Sequence, residues 1–379
     1  MTERRSLYPP AVANTVSDFN RMARRPWKVL LCASLLLLGW PIRALSQTAV
    51  GTVVAGKSPI AVAVNPVTNK IYVANNFGGK NTIIDGTTNK TVSIDAEDGP
   101  TAVAVNSVTN KIYVVNQYGD NVSVVDGATN KITLVAVGAG PIAVAVNSVT
   151  NKIYVVNVRS NNVTVIDGST NATSAVPAGT VPYAVAVNSV TNKIYVPNRD
   201  SNDVTVIDGA TNKTTAVAAG SIPFAVAINP VTNKIYVVNG DFGGSITVID
   251  GATNATATIP AGEYPRVVAV NSATNKIYFI NRSDNLMIID GATNTTTSVP
   301  AGSVPQSLAV NSKTNSIYVS DYNSIVTVID GATNKTISVA AGKVPQAIAI
   351  NPVTNKIYVA NNSGDDVTVI DGTRKTPLP

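Results

Sequence analysis

Residues 183–217 read YAVAVNSVTNKIYVPNRDSNDVTVIDGATNKTTAV. Four short runs rich in Val, Ile, Thr and Tyr lie at 183–187, 193–196, 204–207 and 214–217, with clusters of Asn, Ser, Asp and Gly between them. Such runs between such punctuation predict four short strands joined by tight connections. No stretch of the unit has the length and apolar period of an amphipathic helix. Helical repeats and leucine-rich horseshoes are thereby excluded.

The unit recurs. The phrase Asn65-Pro66-Val67-Thr68-Asn69-Lys70-Ile71-Tyr72-Val73 returns with small changes at Asn106, Asn147, Asn188, Asn229, Asn271, Asn311 and Asn351, at intervals of 41, 41, 41, 41, 42, 40 and 40 residues. Eight units of this length mean a propeller or a solenoid. The first run, Ala184-Val185-Ala186-Val187, is apolar on both faces, as expected when sheets stack face to face around an axis. Its alanines suit the crowded inner rim of a ring. The chain ends decide the matter. The last unit offers strands at 346–350, 356–360 and 367–370 but no fourth before Pro377-Leu378-Pro379, while Val50-Gly51-Thr52-Val53-Val54 matches the fourth-strand position ahead of the first unit. Pairing these ends closes a ring and protects exposed edges. The expected fold is all-β: one eight-bladed β-propeller of four-stranded antiparallel blades over residues 47–379, with an N-terminal strand completing the last blade.

The Tyr-Val-x-Asn core of each unit, as in Tyr72-Val73-Ala74-Asn75 and Tyr154-Val155-Val156-Asn157, followed by Val-Ile-Asp-Gly-Ala-Thr-Asn, resembles the YVTN-type, YncE-like β-propeller repeat. The resemblance covers residues 50–372. It implies an exported bacterial or archaeal propeller of the periplasm or cell surface, in a family with few defined activities.

The first 46 residues fit that expectation. A basic stretch ends at Arg24-Arg25-Pro26-Trp27-Lys28, an apolar run follows from Val29 to Trp40, and small residues stand at Ala44 and Ser46. That order is a secretion signal, with cleavage expected at the Ser46/Gln47 bond. The run is shorter than the roughly 20 residues a membrane span needs. Seven of the 28 Lys and Arg and two of the 22 Asp and Glu lie in this segment, so the formal net charge of +6 falls to +1 for the remainder. The only cysteine, Cys32, and both tryptophans, Trp27 and Trp40, also lie there, and the chain has no histidine. A propeller without cysteine is held by packing and not by disulfides.

Residues repeated in every blade answer to architecture, whereas function needs asymmetry. Asp85, Asp126, Asp167, Asp208, Asp250, Asp290, Asp330 and Asp371 each precede Gly in a turn. The expected role is a carboxylate capping turn amides while the Gly takes a positive φ. A ring of calcium loops is the competing reading, and one acid per loop is a thin ligand set for it. No other cofactor is expected. The repeated tyrosines, Tyr72 to Tyr358, are expected to pack between blades with each hydroxyl finding a partner at the edge.

In four-stranded blades, the connection between strands two and three shares a face with the link from strand four to the next blade. That face carries the irregular sequence, so a ligand is expected there. The residues after Pro at the start of each inner strand ring the channel mouth: Ile60, Thr101, Ile142, Tyr183, Phe224, Arg266, Gln306 and Gln346. Outside them lie Arg159, Arg199, Arg282, Phe242, Asp241 and Tyr322. The ligand-binding candidates are Tyr183, Phe224, Arg266, Gln306, Gln346, Arg159, Arg199 and Arg282. Guanidinium forks hold planar anions, and aromatic faces accept sugars.

The function these features favour is a non-enzymatic binding scaffold, monomeric, recognising a protein, peptide or glycan. A lactonase or other hydrolase is the enzymatic alternative, yet residues 47–379 lack the usual imidazole base and thiol nucleophile and hold only two glutamates, Glu97 and Glu263. A quinone-cofactor dehydrogenase is disfavoured by the missing tryptophan. Nucleic-acid binding needs a basic groove with interleaved aromatics, which a charge of +1 does not favour.

Overall fold

The computed structural model describes residues 47–373; the expected secretion signal, 1–46, lies outside the described residues. Thirty-two strands, β1–β32 in chain order, form eight four-stranded antiparallel sheets. Blade 1 is β2 (Pro59–Asn65), β3 (Lys70–Asn75), β4 (Lys80–Asp85) and β5 (Thr91–Asp95), and blades 2 to 7 follow in the same order. Blade 8 takes β30 (Pro345–Asn351), β31 (Lys356–Asn361) and β32 (Asp366–Asp371) from the C-terminal end, and β1 (Thr48–Val54) completes it. Val53 lies opposite Val367 in that pair. The expected eight-bladed, end-closed propeller is the observed fold.

The second strand of each blade is buried on both sides, as in Ile153, Tyr154, Val155 and Val156, all fully inaccessible. One face packs on the preceding blade and the other on the following one. A typical interblade layer joins Tyr113, Val122 and Val135 of blade 2 to Ile153 and Ile166 of blade 3. Eight such layers run round the ring, and the layer between blades 8 and 1 includes Val53, Tyr358 and Ile71. Fully burying each such side chain stabilises the fold by about 1.5–3 kcal/mol.

On the face of constant turns, asparagines bind neighbouring blades together. Asn65 Nδ2 donates to Asn110 Oδ1 of the next blade at 2.8 Å, and the same bond recurs round the ring to Asn351 and Asn69. Asn65 Oδ1 accepts the amides of Val67 and Thr68, an Asx turn, so one side chain holds both its own turn and the adjacent blade. Lys70 Nζ donates to the Gly127 carbonyl of the next blade at 2.8 Å, and Lys356 does the same to Gly86 across the closure.

The aspartates cap their turns. Asp208 Oδ1 accepts the Ala210 and Thr211 amides and the Thr211 hydroxyl at 2.9–3.0 Å. The donated Thr211 amide, foremost, holds the Asp208 carboxyl below the usual range. The glycine differs from expectation. The positive φ of this turn belongs to Asn212 (59°), not to Gly209. Gly209 is needed because a Cβ there would stand 2.4 Å from Asn192 Oδ1 and 2.7 Å from the Asn192 carbonyl. The tyrosines pack between blades as expected, but the hydroxyls of Tyr72, Tyr113, Tyr154, Tyr195 and Tyr236 have no hydrogen-bond partner among the described residues. Each of these oxygens is closed off from solvent. Burial, reinforced by Asp250 of the next blade, pushes the Tyr195 hydroxyl up to about 12.

Candidate functional site

A second set of bonds holds the irregular face. In most blades, an Asp or Asn in the loop between strands two and three accepts the amide that opens the next blade: Asp120 from Gly140, Asn161 from Val181, Asn202 from Ile222, Asp284 from Val304 and Asp365 from Ser58. The junction between blades 5 and 6 departs from this pattern. The 42-residue interval places one extra residue in Gly240-Asp241-Phe242-Gly243-Gly244. There the Tyr264 amide donates to the Asp241 carbonyl at 3.2 Å, a main-chain bond in place of the side-chain clasp.

Tyr264 has a φ of 46°, costly for a bulky side chain. Other blades hold the same backbone shape by a bond from the loop after strand two to this residue's carbonyl, as from Tyr322 to Val304. In blade 6 the bond shifts by one residue, from Arg282 N to the Glu263 carbonyl at 3.0 Å. The rearranged loops bring three side chains together. The Phe242 ring meets Tyr264 edge to face at 5.9 Å, and the Arg282 guanidinium lies 5.6 Å from the Tyr264 ring centre. Such a stack is favourable in itself and orients the guanidinium.

Two inner strands are shortened beside this junction. Strand β14 spans only Ala186–Asn188, with an isolated bridge from Pro182 to Asn198, so residues 183–185, expected in the strand, precede it. The cause is in β15 (Lys193–Asn198), where Pro197 has no N–H to give the first strand. Strand β22 (Val267–Asn271) likewise begins beyond Pro265 and Arg266. Between these strands, Phe224 of blade 5 lies over Gly240, where a Cβ would come within 2.2 Å of the ring. Phe224 and Tyr183 meet edge to face at 6.2 Å.

A cavity of about 1130 Å³ lies at the channel mouth beside these departures. Of the residues the sequence singles out, Tyr183, Phe224, Arg266, Gln306, Gln346 and Arg282 line it. Arg159 and Arg199 do not. Arg159 reaches back to blade 2, donating to the Gln117 carbonyl at 3.2 Å and lying 3.7 Å from Asp120, and Arg199 lies 3.9 Å from its neighbour Asp200. Ile60, Thr101 and Ile142 also stand outside the cavity, which belongs to blades 4 to 8. Among the described residues neither Arg266 nor Arg282 forms an ion pair. Asp284 lines the same cavity, where its carboxylate accepts the Val304 amide at 2.8 Å.

Tyr264, Asn281 and Asp284 also line the cavity, beyond the residues expected from the sequence. The signals were present: Glu263-Tyr264-Pro265 sets an aromatic where other blades place Gly, Ser, Val or Ile, and the 42-residue interval lies just before it. Among the described residues no group of three or more His, Cys, Asp or Glu comes together. No described helix is long and apolar enough to cross a membrane.

No family model and no curated protein matches the chain. Solved structures do. The chain is similar to the hydrazine synthase of Kuenenia stuttgartiensis (20% identity, TM-score 0.61, 73% of this chain and 96% of that one). It is also similar to the computationally designed Ika8 protein (15% identity, TM-score 0.72, 86% and 99%) and to the Dos1 propeller (11% identity, TM-score 0.75, 87% and 96%). At these identities the likeness shows the propeller fold alone.

Proposed function

We propose that this chain is an exported, YVTN-type propeller that acts as a non-enzymatic binding scaffold, with its ligand seated at the mouth over blades 4 to 8. The observation that carries the reading is the coincidence of three irregularities at one place. The loop with the extra residue, entered at Gly240, the shortened starts of β14 and β22, and two arginines without an ion pair among the described residues border one cavity. Exposed aromatics follow the same division: Phe77, Tyr118, Tyr183, Phe242, Tyr264 and Tyr322 all belong to the irregular face. Export is supported by the signal-like residues 1–46 and by the absence of cysteine after Cys32. The absence of histidine and thiol supports binding over hydrolysis.

The test is a ligand screen by thermal shift against the protein and two variants, Arg266→Gln with Arg282→Gln, and Asp208→Asn. Ligands that stabilise the protein and the Asp208 variant, but not the double arginine variant, are expected. Ligands lost only in the Asp208 variant would overturn the reading.

A further inference from the structure

We infer that the ligand of this mouth is an oligosaccharide carrying carboxylates, of the oligouronate class; the inference rests on the mouth being the binding site. The charged groups set the first requirement. Arg266 and Arg282 line the cavity, and the acid beside them, Asp284, is the clasp that takes the Val304 amide, as its counterparts do in other blades. Both guanidiniums are exposed and form no ion pair among the described residues, so they are open to an anion, and a planar carboxylate matches their fork.

The apolar groups set the second requirement. Tyr264 shares a stack with Arg282 and an edge contact with Phe242, while Tyr183 and Phe224 form a second aromatic pair across blades 4 and 5. Aromatic faces are electron-rich and receive the C–H face of a pyranose. The amides set the third. Gln306 and Gln346 bring donors and acceptors to the same cavity, the capacity that vicinal hydroxyls use; Gln306 Nε2 donates to the Val304 carbonyl at 3.0 Å, which leaves its amide oxygen free to accept. The cavity, about 1130 Å³, is larger than one sugar and accepts a short oligomer.

An acidic peptide shares the charge but not the rest. Strand addition to a sheet edge is one mode of peptide capture, and arginine clusters that take acidic motifs are another, so charge by itself does not separate the two ligands. At this mouth the groups that distinguish blades 4 to 8 are guanidiniums, primary amides and aromatic rings, which suit charge, hydroxyls and sugar faces.

The experiment is isothermal titration of the protein with tetragalacturonate, tetramannuronate, the methyl ester of tetragalacturonate, and a hexaglutamate peptide. The variants are Arg266→Gln, Arg282→Gln, Tyr264→Leu and, as a control outside the cavity, Arg199→Gln. At least one free uronate is expected to bind, with about tenfold or greater loss on esterification or in either mouth arginine variant, since a charge-assisted pair is removed. Tyr264→Leu should weaken it, and Arg199→Gln should not. Binding of neither uronate, or equal binding of ester and acid, overturns the inference. Hexaglutamate binding that depends on Arg266, with no uronate binding, overturns the saccharide class and leaves the mouth as the binding site. Uronate binding untouched by both mouth arginine variants overturns the mouth reading itself.

Discussion

Asn351 Nδ2 donates to Asn69 Oδ1 at 2.8 Å, so the last blade is bonded to the first by the same asparagine pair that joins the other neighbours. The two residues are 282 positions apart in the chain. Asn351 Oδ1 also accepts the Val353 and Thr354 amides, and its side chain is fully buried. Asn351→Ala is expected to lower stability by about 1–3 kcal/mol, because donors and an acceptor are left unmet inside the protein. Urea unfolding checks this, with Asn188→Ala as the comparison within the ring. Equal losses are the expected outcome, and a negligible loss at Asn351 alone would mean that the ends do not meet.

Closure by β1 makes a second prediction. A chain beginning at Ala55 lacks the strand that pairs with β32 and leaves that edge free. It should associate into larger species, as read by light scattering after size exclusion, and lose the Val53 contribution to the layer between blades 8 and 1. An unchanged elution and melting temperature would contradict the pairing.

Stability should fall at both pH extremes for separate reasons. Asp126, Asp167, Asp208 and Asp250 sit below the usual range, chiefly through amides donated by Thr in their turns. A depressed folded value gives stability that is present above the ordinary carboxylate pKa, about 4, and is lost as pH falls through the folded value. The melting temperature should therefore drop below about pH 4, and Asp208→Asn should flatten that slope. Tyr72, Tyr113, Tyr154, Tyr195, Tyr278 and Tyr358 are raised to about 12, first by burial. A raised value gives stability that is whole below the ordinary tyrosine pKa, about 10, and is lost as pH rises through the folded value. Tyrosinate absorbance at 295 nm should thus lag in the folded protein and appear together with unfolding between about pH 10 and 12.

The shape of the mouth depends on Gly240. Its αC–H faces the Phe224 ring so closely that a methyl group would sit 2.2 Å from Cε1. Gly240→Ala should push Phe224 off Tyr183, change the aromatic NMR shifts of both, and cost about 1–3 kcal/mol by overpacking. Unmoved aromatic signals would show that the pair is not built on this glycine.

The ring was legible in the chain because a repeat states its period directly, and the unmatched strand at 50–54 states the closure. The mouth was legible in part for a geometric reason: a residue after Pro at the start of an inner strand has a fixed place, so Tyr183, Phe224, Arg266, Gln306 and Gln346 were found together. Arg159 and Arg199 stand outside the cavity: Arg159 belongs to blade 3, which does not line it, and the Arg199 guanidinium lies 3.9 Å from Asp200. Tyr264 precedes the proline and so falls outside the ring of residues that follow it; its place at the mouth comes with the added residue in the neighbouring blade, whose Asp241 carbonyl accepts the Tyr264 amide. The glycine after each aspartate was misread for a related reason: a close approach and a positive φ both select glycine, and only the folded turn tells them apart.

The most direct measurement is a crystal structure of the protein soaked with tetragalacturonate. The expected result is an eight-bladed ring with saccharide density in the cavity, a carboxylate held by Arg266 or Arg282, and a sugar face against Tyr264 or Tyr183. Saccharide bound instead along the turns of Asp208 and its counterparts, with the mouth unchanged, would contradict it.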